Sequence, residues 1–165
     1  MKVHEFVERS PCDDTGSSVP NPESSSPSDW VLESEPSDAV DVKQAKASAE
    51  AGDPIVLRAL IGGRMQPISD HSALFTVMDM NVPHCGMIGG DGCPAPWDYC
   101  CESPETIKAN ATVQLVDANG NAAAISPTAA GLAPLDEVVI VGSVGPRPTS
   151  DVLTVRAVGF YPATP

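Results

Sequence analysis

At 165 residues the chain is long enough to bury one ordinary core without obligatory metal or disulfide staples. Its net charge of -13 is shared by both halves: eleven acidic against four basic side chains over residues 1–50, and eleven against five beyond. With only Arg58, Arg64, Lys108, Arg147 and Arg156 as cations in the second part, nucleic acid is excluded as a partner and an anionic membrane surface is disfavoured by the same repulsion; no apolar run approaches the ~18 residues of a membrane span.

The opening MKVHEFVERSPC lacks the apolar core of a secretory signal, and Glu-Arg-Ser-Pro before Cys12 is not a lipoprotein cleavage box, so no export address is read there. Residues 1–53 read as an acidic, Ser/Pro-rich disordered tail or tether, because stretches such as SSVPNPESSSPSDW have no apolar periodicity to support a packed face. Trp30 with Val31 and Leu32 is the one apolar knot, read as local packing or as a docking motif. VKQAKASAEA, from Val42 to Ala51, holds good helix formers ahead of Gly52.

Beyond Gly52 the chain turns to short β-branched runs bounded by Gly, Pro, Asn and Asp. Pro54 to Arg64 places Ile55, Leu57, Ala59 and Ile61 on one strand face, and Gly62-Gly63 allows a bend. Ala73 to Met80 follows, with Phe75 and Val77 inward and Thr76 outward. Ala111 to Asp117 is the third strand, with DANGN as turn chemistry before a weaker strand at Ala122 to Ile125. Ser126-Pro127 reads as the start of a short helix through Ala130. Glu137 to Val144 and Val152 to Phe160 complete the set. Three strands, a short helix and two strands over residues 54–165 is the order of a five-stranded OB-like barrel, all-β in class; a small β-sandwich is the competing fold.

The dense chemistry lies between the second and third strands, in NVPHCGMIGGDGCPAPWDYCCESPE, where Cys85, Cys93, Cys100 and Cys101 fall within seventeen residues. Two disulfides, a structural metal or redox-active thiols are the three readings. Adjacent cysteines have Cα atoms only ~3.8 Å apart, below the usual disulfide range of ~4.4 to 6.8 Å, so Cys100 and Cys101 should seek different partners. That leaves Cys85 with Cys100 and Cys93 with Cys101, or Cys85 with Cys101 and Cys93 with Cys100. In an extended backbone Cys100 and Cys101 point to opposite faces, which suits two bridges; a turn at Tyr99 to Glu102 would let both face one ion. The paired C-x2-C knuckles of common zinc sites are absent from this spacing.

CPAPWDYCC resembles a C-P-x-P-W-D-Y-C-C motif of uncharacterised small bacterial envelope proteins, often lipoproteins, with an OB-like second half. The resemblance covers nine residues and a strand order, implies a periplasmic or cell-envelope setting, and brings no activity. MDMNVPHCGM gathers Met78, Met80, His84, Cys85 and Met87, soft donors suited to Cu(I). In this it is similar to the periplasmic copper-chaperone OB-folds, which use Met and His ligands beside a Trp, a role Trp97 would take here. No catalytic constellation stands out: Asp98 and Tyr99 have no second acid or base beside them, and the contiguous Asp70, His71 and Ser72 cannot converge as a triad.

Two functions follow. One is a non-enzymatic binding or interaction module without a cofactor, its disulfide-stapled loop and the loop Gly145 to Ser150 shaping a rim with Trp97, Asp98, Tyr99 and Arg147 as contacts for a protein or small ligand. The other is a metal-handling protein, for copper or zinc, using the Cys/His/Met cluster.

Overall fold

The structure, a computed structural model, describes residues 26–89 and 92–164. It is a closed barrel of five strands: β1 (Pro54–Ile61), β2 (Leu74–Met78), β3 (Asn110–Leu115), β4 (Glu137–Val144) and β5 (Thr154–Pro162). They neighbour one another in the order β1-β2-β3-β5-β4, and β4 returns to β1. All pairs are antiparallel except β3 with β5. This is the OB-like barrel expected from the strand order, with the cysteine loop between β2 and β3.

Alternation does most of the work. In β1 the buried positions are Ile55, Leu57, Ala59 and Ile61, the face that the period of two predicts. Val113 and Leu115 of β3, Val138 and Ile140 of β4, and Val155 and Ala157 of β5 meet them in one core. Closure leaves the strands no unpaired edge, and a register shift between Val141 and Gly142 bends β4 where the barrel turns.

Three expectations differ from the structure. Thr76 is buried rather than outward, because residues 62–67 fold over that side of β2 and its hydroxyl donates to the Gly62 carbonyl at 2.9 Å. Ala122 to Ile125 is not a strand: Val116 and Ala122 make a single bridge. The segment opening at Ser126-Pro127 makes one hydrogen-bonded turn, closed by Ala130 N–H on the Ser126 carbonyl, and stops where Gly131 takes φ +93°. The helices lie elsewhere: α1 (Val42–Ser48) and the single turn α2 (Pro104–Ile107).

Residues 27–53, read from sequence as part of the tether, pack on the barrel. Trp30 is 3% exposed and its indole N–H donates to the Val116 carbonyl at 2.8 Å. Leu32 N–H reaches the Phe160 carbonyl, and Val40 bridges Leu57 of β1. Asp41 caps α1 by accepting from Gln44 N–H at 2.7 Å, while Val42 and Ala45 enter the core. These are single anchors separated by polar residues, so no periodicity announces them. Residues 1–25 of the predicted tail, Cys12 among them, lie outside the described residues.

Candidate metal centre in the cysteine loop

The loop is seated by two glycines. Gly62 follows β1 so closely under the loop that a Cβ there would stand 2.7 Å from the Trp97 carbonyl oxygen, and Gly63, at φ +90°, donates its N–H to that oxygen at 3.1 Å. The Trp97 indole in turn donates to the Met65 carbonyl at 2.9 Å. Trp97 therefore fastens the loop to residues 62–65.

Within the loop, two limbs are joined by main-chain hydrogen bonds: Cys85 N–H to the Asp98 carbonyl at 3.0 Å and Gly86 N–H to the Pro96 carbonyl at 2.9 Å. His84 directs Nδ1 at the same Pro96 carbonyl, 2.9 Å away, and its ring stands edge-on to Tyr99. That hydrogen bond fixes the imidazole within the loop. Asp98 accepts from Tyr99 N–H at 2.8 Å through Oδ1, as a local turn lock.

A turn closes from Glu102 N–H to the Tyr99 carbonyl at 2.9 Å. It removes the extended geometry that would have sent Cys100 and Cys101 to opposite faces. Both sulfurs now approach Cys85: Cys100 at 3.4 Å and Cys101 at 3.9 Å. Cys93 lies 4.0 Å from Cys100, and Cys100 and Cys101 are 4.0 Å apart. Four thiolates around one ion with M–S bonds of ~2.3 Å have S···S edges of ~3.8 Å. Four of the six sulfur pairs stand near that scale, and Cys85, Cys93 and Cys100 form the group able to hold an ion. No disulfide joins the four cysteines; their closest approach is far above the ~2.05 Å of an S–S bond.

The electrostatics suit a cation. Burial raises the Cys85 thiol, but main-chain N–H donors of Cys101 and Cys100, with their thiols, outweigh it and bring Cys85 below its ordinary value. Cys100 is pushed up to about 12, first by its bond to Cys85 and then by Cys101. One thiolate is favoured and its neighbour is held protonated. The segment from Asn81 to Pro104 contains no Lys or Arg, so further ionisation needs a positive charge from outside the loop.

The other predicted residues are placed differently. Met78 is fully buried against Val82, Tyr99 and Ala109, a core side chain, while Met80 lies beyond the end of β2 and is 37% exposed. Tyr99 is 1% exposed, inside the fold rather than on a rim, and its hydroxyl has no hydrogen-bond partner among the described residues. Arg147 directs its guanidinium at the carbonyls of Lys46, Ala49, Ser150 and Val152, fastening the C-terminal end of α1. Asp79 was not singled out in the sequence. It is fully buried at the root of the loop, accepting from Lys43 N–H at 2.9 Å and from both nitrogens of Asn81. The Asp-x-Asn of MDMN was its only signal.

No protein-family model matches the chain, and no curated protein matches it.

Proposed function

We propose that the chain is a non-enzymatic binding module of the cell envelope, a rigid barrel that displays a loop locked through its cysteine sulfurs. The convergence of four sulfurs at 3.4 to 4.0 Å carries the reading. A thiol set this tight, hung on two limbs of backbone hydrogen bonds, is built to hold the loop in one shape. Beside it Met65 and Met87 are 71% and 68% exposed and Trp97 is half-buried, an apolar rim suited to contact with a protein or small ligand. The envelope setting rests on the resemblance of CPAPWDYCC to small envelope proteins.

Two chemistries can close the lock. Two disulfides would suit an oxidising compartment. A single ion would be held by Cys85, Cys93 and Cys100, whose sulfurs lie within 4.8 Å of one another, and zinc is preferred to copper because Met78, Met80 and His84 stand outside that sulfur group. Bound there by Cys85, Cys93 and Cys100, with Cys101 beside them, zinc would neutralise thiolate charge and fix the loop.

The test is the intact mass of the chain without reductant, native and then denatured, with metal analysis. One zinc per native chain, lost on denaturation with all thiols intact, supports the ion lock. A mass short by four hydrogens and free of metal supports two disulfides. Free thiols with no ion under either redox condition would remove the lock and the reading with it.

A further inference from the structure

We infer that the cluster is a redox-gated metal site, in which a hydroperoxide joins Cys85 to Cys100 as a disulfide and the held ion departs. This rests on the zinc reading above. The pair is chosen by geometry. Cys85 and Cys100 are the closest sulfurs, at 3.4 Å, whereas the remaining contacts are 3.9 or 4.0 Å. The contiguous Cys100 and Cys101 would need a strained bridge. Forming the Cys85–Cys100 bond shortens the gap by about 1.3 Å, within the reach of side-chain rotation.

Exposure assigns the order. Cys100 is exposed, while Cys85 is buried at 3% directly behind it, so an oxidant from solvent meets Cys100 first and a second sulfur waits at contact distance. Held as a thiolate by the bound zinc, Cys100 attacks one oxygen of hydrogen peroxide; the O–O bond breaks, and Cys100 becomes a sulfenic acid as the other oxygen leaves and takes up a proton to form water. The Cys85 thiolate then attacks the Cys100 sulfur, the S–S bond forms, and the hydroxyl leaves with a second proton as another water. Two electrons pass from the sulfurs to the peroxide. The ion loses Cys85 and Cys100, two of the three sulfurs grouped to hold it, and is released. The limb contacts of Cys85 with Asp98 and of Gly86 with Pro96 use main-chain atoms only, so they hold the loop in both states. One clamp replaces the other.

The experiment titrates the reduced, zinc-loaded full chain with hydrogen peroxide, following zinc with a colorimetric chelator, thiols by mass and bridges by peptide mapping. One zinc released as two thiols disappear, with Cys85 and Cys100 in one linked peptide, is the expected result. Cys85→Ser should leave Cys100 as an oxidised acid with no bridge to position 85, because the resolving sulfur is gone. Cys101→Ser, which keeps the pair, should still release zinc with the Cys85–Cys100 link. A first bridge through Cys93 or Cys101, accumulation of an oxidised acid at Cys100 while Cys85 is present, or retention of zinc after the bridge forms would each overturn the inference while leaving the zinc reading intact. A reduced chain that takes up no zinc overturns both.

Discussion

Tyr99 offers the sharpest thermodynamic test of the loop's seating. Its ring is packed with Met78, Val82 and Ala109, and its hydroxyl is buried without a hydrogen-bond partner among the described residues. A hydroxyl buried in that way costs about 1 to 3 kcal/mol, so Tyr99→Phe, which keeps the ring, should stabilise the fold by about 1 to 2 kcal/mol in urea unfolding at pH 7 with an unchanged slope. The pH dependence gives a second arm. Burial first, then the negative charges of Asp79 and Cys85, push the Tyr99 hydroxyl up to about 12. The unfolded tyrosine ionises near ~10, so the stability present below that pH is lost as pH rises through ~10 toward 12, by about 2 kcal/mol in all. The phenylalanine variant lacks that loss, and its advantage should widen by a similar amount between pH 9 and 12. Destabilisation of Tyr99→Phe by 1 kcal/mol or more, or a gap that stays flat with pH, would refute the reasoning and show that the hydroxyl is bonded in solution.

Trp30→Ala should cost about 3 to 5 kcal/mol in the same unfolding assay, because the indole is a core side chain and its loss also strips the Val116 carbonyl of its donor. A loss below about 1 kcal/mol would return residues 27–53 to the role of a loose tether. Gly62→Ala drives a Cβ against the Trp97 carbonyl and should weaken zinc binding by about tenfold while circular dichroism still reports the barrel; equal affinity would separate the loop's seat from its lock. Arg147→Ala should lower stability by about 1 to 3 kcal/mol through the carbonyls it leaves at the end of α1, and zinc affinity should not change. Asp79 is held below the usual carboxylate range: burial would raise it, but the N–H groups of Lys43 and Asn81 outweigh that. Its contribution is present above pH ~4 and lost as pH falls through its lowered value, and Asp79→Asn should flatten the acid limb of the stability curve.

The inward faces of β1 and β3, and of β2 at Phe75 and Val77, were legible in the sequence alone, because alternation in PIVLRALI and its counterparts is a local consequence of the pleat; the burial of Thr76 by residues 62–67 was not. The order of strands pointed to the barrel, with the cysteine loop between β2 and β3, but only the pairing of β4 with β1 decided it against a sandwich. Trp30, Val42 and Ala45 could not be assigned to the core that way: each is an isolated side chain whose burial depends on a groove made by residues far along the chain. The state of the cysteines was equally beyond local reading. Spacing left two bridges or one ion open, and the turn from Tyr99 to Glu102 decided that the sulfurs of Cys100 and Cys101 both approach Cys85. That turn is seated by Gly62, Gly63 and Met65, all more than thirty residues before Trp97. Contacts of that range are set by barrel closure, which is why only the tertiary structure could separate His84, Met78 and Met80 from the thiol group.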